Sequence, residues 1–139
     1  MARSGSALIF PEIEDVIDFN RRLIERYGGD FQGVNNLINR GSLEWVLDVI
    51  QHPFFGIDPY PSIAHKAALL AWAINDGHVF NDGNKRTSMF TAAVFLDING
   101  YHLEASDGEI VNIALMIAKK HENGINYDLL VNWFEKHIR

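Results

Sequence analysis

Segment 77–87, which reads GHVFNDGNKRT, holds the residues of this chain with the most evident chemistry. His78 supplies an imidazole, the commonest general base, which can take a proton from an attacking hydroxyl. Asp82 presents the hard carboxylate oxygen that Mg²⁺ prefers. Lys85 and Arg86 add two cations shortly afterwards. The set predicts transfer of a phosphate-containing group, because a turn that only joined two buried helices would need no such residues.

A helix beginning near Gly83 or Asn84 would direct its first backbone N–H groups toward this loop. Those groups have no partners within a helix, and the helix macrodipole adds positive partial charge there. Gly83 would let an oxygen approach the backbone closely, and the charges of Lys85 and Arg86 suit a polyphosphate better than a lone carboxylate. We therefore expect a nucleotide as the ligand. The segment is not a Walker P-loop, because asparagine rather than lysine follows Gly83.

Residues 78–86, HVFNDGNKR, resemble the signature loop of the Fic/Doc family. The usual Fic form is His-Pro-Phe-x-Asp/Glu-Gly-Asn-Gly-Arg. The Doc branch, the death-on-curing toxins, carries lysine at the second glycine, which is the position of Lys85 in this chain. Segments 23–29 and 94–101 also resemble Doc proteins, so the resemblance covers most of residues 10–120.

The resemblance implies an all-α Fic fold, a compact helical bundle in which the signature loop joins a central helix to its neighbour. It also implies a short flap that helps to align the target. His78 would be the general base for the target hydroxyl, and Asp82 would hold Mg²⁺. Two departures, Val79 for the common proline and Gly83 where Doc tends to have alanine, remove no reactive group. The catalytic residues implied are His78, Asp82, Lys85 and Arg86, and the phosphate-binding residues are Gly83, Asn84, Lys85 and Arg86.

Lys85 distinguishes the two activities that the resemblance implies. Fic members with glycine at this position typically transfer AMP from ATP to a protein hydroxyl, whereas Doc transfers the γ-phosphoryl group. We therefore expect a Doc-like toxin that uses ATP and Mg²⁺ to phosphorylate a Ser or Thr hydroxyl of a protein, typically a translation factor such as elongation factor Tu. The alternatives are protein adenylylation and a catalytically silent module that binds an antitoxin or another partner.

Inhibition is expected to come from another protein. The chain lacks the Ser/Thr-x-x-x-Glu-Gly/Asn string that some Fic proteins carry as an inhibitory helix. The resemblance to Doc therefore implies a small antitoxin that acts in trans. A transition-metal role for His78 and Asp82 is disfavoured, since two ligands are too few for a zinc site.

The composition indicates one globular domain, residues 1–139, with residues 1–9 as a loose N-terminal extension. Twelve Lys and Arg against eighteen Asp and Glu give a net charge of −6, which argues against non-specific binding to nucleic acid or anionic lipid. The absence of cysteine excludes disulfides and thiolate metal sites. No apolar run approaches the roughly 20 residues that span a bilayer. We expect a cytoplasmic protein with no membrane or direct nucleic-acid partner.

Local signals predict a mainly helical chain. A first helix is expected from Pro11 to the glycine pair at 28–29, where glycine favours a helix end. Ser42 is expected to open the second helix. The predicted apolar positions of the first helix recur at spacings of three and four: Val16, Phe19, Leu23 and Tyr27.

Residues 52–61 hold three of the four prolines, so an aromatic flap is expected there, with a small β-hairpin as one form it could take. Ser62 is the predicted N-cap of a helix over 63–76, which is apolar on nearly every face and so should lie mid-domain. A similar helix is expected over about 84–99. The last two predicted helices are 110–121, behind a Ser106–Glu109 capping box, and one capped by Asn126.

Several other residues that could carry chemistry are interpreted as structural. Phe80 is expected to anchor the loop in the core, and the Trp133–Phe134 pair is expected to pack. An isolated histidine is usually a hydrogen-bonded structural residue, and five fall in this class: His52, His65, His102, His121 and His137.

Overall fold

The computed structural model describes residues 8–119 and 124–139, and this part of the chain forms six α-helices. Backbone pairing outside them is limited, in the same residues, to isolated bridges. The expected all-α fold is therefore confirmed. The helices are α1 (Ile13–Tyr27), α2 (Arg40–Gln51), α3 (Ile63–Asp76), α4 (Asn84–Ile98), α5 (Asp107–Ala118) and α6 (Tyr127–His137).

Helix α3 lies at the centre and packs against α2, α4, α5 and α6. Its side chains from Ala67 to Ala71 and at Ile74 are buried, as the uniformly apolar sequence predicts. Ser62 caps the helix by accepting a hydrogen bond from the His65 N–H at 3.0 Å. Helix α4 packs against α1, α3 and α5, so the signature loop joins the two most embedded helices.

Helix α1 ends where predicted, at Gly28 with φ +91°, but its buried face differs from the expected one. The stripe that faces the core comprises Val16, Ile17, Asn20 and Ile24. Tyr27, expected on that face, is 54% exposed. Phe19 lies at the edge, where its ring meets Phe90 at 5.1 Å. The prediction failed because positions four apart, 16, 20 and 24, define the stripe, and an asparagine in the middle hides it from an apolar pattern.

Three predicted helix starts are wrong by two or three residues. Helix α1 begins at Ile13 rather than at Pro11, because Glu12 is its cap. Helix α2 begins at Arg40 because Asn39, not Ser42, is the cap, and the Asn39 side chain accepts the Ser42 N–H at 3.3 Å. Helix α5 begins at Asp107 rather than at residue 110, directly after its cap Ser106. The end predicted for α5 at His121 lies outside the described residues.

Residues 52–61 form no regular helix, and residues 54–57 make the tight hairpin turn expected of a flap. Phe54 and Ile57 exchange two backbone hydrogen bonds, of 2.8 and 2.9 Å. Phe55 and Gly56 have φ values of +49° and +74°, the pattern of the hairpin turns that match strand twist. The three apolar side chains of this turn are exposed: Phe54, Phe55 and Ile57.

The flap is fixed at its base by a buried lysine on α3. Lys66 is 4% exposed, and its Nζ donates to Asp58 Oδ2 at 2.6 Å and to the backbone carbonyl of Tyr60. A buried ammonium requires such partners, since an unpaired charge in the core is strongly unfavourable. The tip of the flap is therefore solvent-exposed while its base is held against the bundle.

Both described ends of the chain pack on the bundle. Ile9 exchanges hydrogen bonds of 2.7 and 2.8 Å with the Asn99 side chain, and Phe10 stacks on Phe95. Ile9 thus belongs to the folded body rather than to the loose extension expected for residues 1–9, of which residues 1–7 lie outside the described part of the chain. Phe134 is fully buried beneath Trp133, as expected for a packing pair. No helix of the described chain is long and apolar enough to cross a membrane.

Candidate active site

The signature loop is anchored by its two apolar residues. Val79 and Phe80 are 0% and 1% exposed, which confirms the core role expected of Phe80. The Val79 carbonyl accepts hydrogen bonds from the Ile38 and Asn39 N–H groups, at 2.9 and 3.1 Å. Phe80 forms an antiparallel bridge with Leu37. The loop is therefore held rigidly where it leaves α3.

His78 lies exposed beside this anchor, with a backbone φ of +45°. This left-handed conformation is uncommon for a non-glycine residue, histidine tolerates it better than most, and residues that adopt it are often found at functional sites. Here the buried Val79 on one side and the end of α3 on the other fix the backbone. The backbone that carries the imidazole is thereby held, and the side chain is exposed to solvent.

Asp82 presents a carboxylate whose two oxygens both accept backbone hydrogen bonds. Oδ2 accepts the Asp30 N–H and Oδ1 accepts the Gly83 N–H, each at 2.8 Å. The bond from Asp30 and then that from Gly83 hold the pKa of Asp82 below its usual value, with smaller contributions from the charges of Arg86 and Lys85. Asp82 is exposed and stays ionised at neutral pH, so it can meet a cation.

A buried network of amides supports the loop from beneath. The Asn20 side-chain amide donates to the Asp82 carbonyl at 2.9 Å and to the Thr87 hydroxyl at 3.0 Å. Asn36 donates to Asn20 Oδ1 at 3.0 Å, and none of the three side chains is more than 2% exposed. Asn20 was not identified from the sequence. The available signal was its position four residues after Val16 and four before Ile24.

Helix α4 begins at this loop without a side-chain cap. Its N-cap is Gly83 in the left-handed region, with φ +79°, where a Cβ would lie 3.0 Å from the Asn20 amide nitrogen. The backbone N–H groups of Asn84, Lys85 and Arg86 meet no acceptor within the described chain. The helix begins at the predicted residue, and unpaired donors at a helix start are a common setting for an anion.

The polar side chains of this first turn have different surroundings. Asn84 exchanges hydrogen bonds of 2.9 and 2.8 Å with the Phe80 backbone, so its side chain holds the loop. Lys85 is exposed. The guanidinium of Arg86 lies over the Tyr27 ring, 4.8 Å from its centroid. Two cations in a first turn oppose the helix dipole unless an anion neutralises them.

The donor set fits Mg²⁺ delivered with a nucleotide. In the described residues no group of three or more His, Cys, Asp or Glu side chains could hold a metal by itself. Mg²⁺ is commonly bound through one or two carboxylates while phosphate oxygens and water complete its shell. Asp82 provides one carboxylate, and Asp30, which was not identified from the sequence, lies beside it and accepts a hydrogen bond from the Asn81 amide at 3.3 Å.

The histidines assigned a structural role contact groups outside the signature loop. His65 Nδ1 is 2.5 Å from the Ser62 hydroxyl, and His137 lies between the Trp133 carbonyl and Glu109. His52 and His102 lie near acidic side chains of their own surroundings, Asp48 and Asp97. His121 lies outside the described residues.

The family model for the Fic/DOC family matches residues 10–96, well over half of the chain, and includes the whole signature loop. The chain belongs to the Fic/DOC family. It is also 37% identical over 75 residues to a protein named Toxin Doc from Mycolicibacterium smegmatis. That match covers 54% of this chain and 58% of the length of the relative. The resemblance recognised from the signature loop is therefore confirmed for the Fic/DOC family and for similarity to a Doc toxin.

Proposed function

We propose that this Fic/DOC protein is a Doc-like toxin that transfers the γ-phosphoryl group of ATP to a Ser or Thr hydroxyl of a protein. The observation that carries the proposal is the first turn of α4. Lys85 stands where AMP-transferring members have glycine. In sequence it follows the ionised Asp82 and precedes Arg86, at a helix start that has no side-chain cap. A cation at this point interacts with a terminal phosphate and alters how a nucleotide lies in the site.

Phosphate binding is assigned to the backbone and to two side chains. The N–H groups of Asn84, Lys85 and Arg86 satisfy phosphate oxygens, and the ammonium and guanidinium groups add charge-assisted bonds. Asp82 would hold Mg²⁺, with Asp30 next to it. When bound, Mg²⁺ neutralises developing charge on the phosphate oxygens.

His78 is assigned as the general base. The target hydroxyl oxygen forms a bond to the γ-phosphorus while the bond between that phosphorus and the bridging β–γ oxygen breaks, so ADP leaves. The hydroxyl proton passes to the His78 imidazole, whose exposed position at the loop leaves room for a protein substrate.

The target segment is assigned to the face that carries the flap. An open groove of about 430 Å³ lies on this face, and its lining includes Trp45, Trp72 and Tyr127. Tyr60 at the base of the flap and Gly77 beside His78 also line it. A polypeptide in this groove would bring a side chain to the general base. A translation factor such as elongation factor Tu is the proposed class of target, and a small antitoxin acting in trans is the proposed inhibitor.

Protein adenylylation is the second candidate, and Gly83 favours it. Gly83–Asn84 matches the usual Fic signature, whereas Doc tends to have alanine at the first of these positions. Glycine suits this backbone, because Gly83 has a left-handed φ and a Cβ there would lie only 3.0 Å from the Asn20 amide nitrogen. Residues 78–86 then depart from the usual Fic signature at Val79 and Lys85, and of these two only Lys85 adds a charge.

Label transfer to the proteins of a cell extract distinguishes these activities. The protein is incubated with Mg²⁺ and ATP labelled at either the γ- or the α-phosphate, with His78→Ala as the control. Label from γ alone, absent with the variant, supports the kinase. Label from α establishes adenylylation and overturns the role given to Lys85, and no label from either nucleotide favours the silent binding module.

Lys85→Gly provides the sharper comparison, because it restores the usual Fic residue at one position. The kinase proposal predicts that this variant loses γ-label transfer and gains α-label transfer. Lys136→Ala, a change at an exposed cation in the last turn of α6, is the control and should leave label transfer unchanged. Unchanged γ-label transfer by Lys85→Gly would contradict the assignment.

A further inference from the structure

The segment Tyr27–Asp30, here called the α1 tail, leaves the end of α1 and lies against the signature loop. Its two glycines have φ values of +91° and +133° and turn the chain toward Asp82. The tail and the loop are about fifty residues apart in sequence. The tail contacts the Asp82 carboxylate and the Arg86 guanidinium. The proposed function assigns Mg²⁺ binding to the first of these groups and phosphate binding to the second.

Asp82 lies directly on Gly29. A Cβ at this position would be 2.9 Å from Asp82 Oδ2 and 3.4 Å from Ile24 Cγ1, a separation from oxygen that real side chains essentially never show. The next residue, Asp30, donates its N–H to the same oxygen at 2.8 Å. Glycine is therefore required for the carboxylate to reach this N–H, and the bond sets the direction in which the carboxylate points.

Asp30 is itself tied to the loop at a second point. Its carboxylate accepts hydrogen bonds from the Gln32 amide at 2.7 Å and from the Asn81 amide at 3.3 Å. These contacts restrict the Asp30 backbone, so the N–H that meets Asp82 is held in place. The Asp82 carboxylate is thus fixed from the tail and from its own neighbour Gly83 together.

Tyr27, the first residue of the tail, holds the guanidinium of Arg86. The ring is half exposed, with Arg86 over it at 4.8 Å and Arg26 at 5.5 Å from the centroid. A guanidinium over an aromatic face is attracted to the ring and loses rotational freedom. The attraction to the ring requires none of the guanidinium N–H groups as hydrogen-bond donors, so these groups are left for a phosphate.

We propose that the α1 tail positions the metal ligand and the phosphate-binding arginine of this site, with Gly29 and Tyr27 as the positioning residues. The inference rests on the proposed function, since it concerns the Mg²⁺–nucleotide that this function requires. The tail orients the Asp82 carboxylate and the Arg86 guanidinium toward the same ligand. A substitution in the tail should therefore change the affinity for the Mg²⁺–nucleotide, although no tail side chain is assigned a direct contact with the nucleotide.

Gly29→Ala and Gly33→Ala form a matched pair for the test. Gly33 lies outside the tail and also has a positive φ, of +67°, so both substitutions strain the backbone, but a Cβ at Gly33 would meet nothing within 4 Å. We expect Gly29→Ala to weaken binding of Mn²⁺ with a non-hydrolysable ATP analogue by roughly 10- to 100-fold, the range for loss of a contact that orients a metal ligand. Gly33→Ala should stay within about twofold of the wild type in that assay.

Binding of Mn²⁺ is followed by electron paramagnetic resonance, which requires no catalysis, and thermal unfolding confirms that both variants fold. Equal affinities for the two variants would overturn the inference. Wild-type binding without label transfer would count against the proposed function alone, and absence of wild-type binding would overturn both. The Mg²⁺ concentration for half-maximal label transfer should follow the same order.

Tyr27 provides a second, independent pair should Gly29→Ala fail to fold. Tyr27→Phe keeps the ring face beneath Arg86, whereas Tyr27→Leu removes it. We expect the leucine variant to weaken analogue binding by roughly threefold to tenfold and the phenylalanine variant to restore it to near the wild-type value. Equal weakening by both would show that the ring face does not position Arg86, and would overturn that part of the inference.

Discussion

Helices α4 and α5 begin in opposite ways. At α5, the Ser106 hydroxyl accepts the Glu109 N–H at 3.1 Å, and the Glu109 carboxylate accepts the Ser106 N–H at 2.9 Å. The first turn of α5 is acidic, which favours the positive end of the helix dipole. At α4 there is no side-chain cap and no acidic residue, and Lys85 and Arg86 occupy the first turn.

The two helix starts therefore differ in their roles: the start of α5 contributes to stability, whereas the start of α4 is suited to binding a ligand. The start of α5 satisfies its own donors and stabilises the fold without any ligand. The start of α4 leaves donors and positive charge together, an arrangement that becomes favourable when an anion arrives. The start of α4 is stabilised instead by the buried network around Asn20 and by the buried Phe80 side chain. Substitutions at the two helix starts should therefore affect different measurements.

The largest effect on activity is expected from His78→Ala, in the signature loop that leads into α4. Loss of a general base should lower the rate of label transfer by roughly 10²- to 10⁴-fold, while ATP affinity stays nearly unchanged because the phosphate-binding groups are intact. Single-turnover rates and analogue affinity are measured in parallel. His102→Ala, at an exposed histidine paired with Asp97, is the control and should leave both unchanged. A matching loss of ATP affinity in His78→Ala would contradict the assigned role.

A smaller effect, on stability, is expected from Asn20→Ala. The substitution removes a donor to the Asp82 carbonyl and two buried hydrogen bonds, one donated to the Thr87 hydroxyl and one accepted from Asn36. Buried polar groups left without partners typically reduce the free energy of unfolding by about 1–3 kcal/mol. Urea unfolding measures the change. Asn112→Ala, at an exposed position on α5, should change it by less than about 0.5 kcal/mol, and an equal loss in both would remove the special role of the network.

The fold and the signature loop were predicted from sequence because their signals are local. Ser62 and Asn126 cap helices at the predicted positions, and the apolar run after Ser62 identifies the central helix. The start of α2 was placed wrongly because Asn39 and Ser42 are both good caps, and only the fold decides between them. The pairing of Phe54 with Ile57 depends on two positive φ values that the residue types permit but do not require.

The supporting parts of the site could not be predicted, for a physical reason. Asn20 contacts a loop more than sixty residues away, and a single polar side chain leaves no periodic pattern to mark such a contact. Asp30 acts on Asp82 through its backbone N–H, which no side-chain motif can reveal. Tyr27 was expected in the core and instead lies half exposed beneath Arg86. The residue types of the loop indicated the candidate site, whereas no sequence signal indicated the residues that hold the loop in place.

A further stability effect, confined to the α5 side, is expected from Ser106→Ala. Loss of a serine N-cap typically lowers the free energy of unfolding by about 1 kcal/mol. Because α5 binds no nucleotide in the proposed function, label transfer and analogue affinity should not change. Urea unfolding with and without the ATP analogue checks both points, since the stabilisation by ligand should equal that of the wild type. A loss of ligand stabilisation would show that the two helix starts are coupled.

The smallest effect is expected from Glu109→Gln, which keeps the capping geometry and removes only the charge. The Ser106 N–H and then His137 hold the pKa of Glu109 below its ordinary value of 4.5. A lowered pKa in the folded state means that the ionised form favours folding. That contribution is complete above the unfolded pKa and disappears as the pH falls through the folded one. Wild type should therefore exceed the variant in stability at pH 7 but not in acid, and a difference that persists below the folded pKa would assign the effect to packing rather than charge.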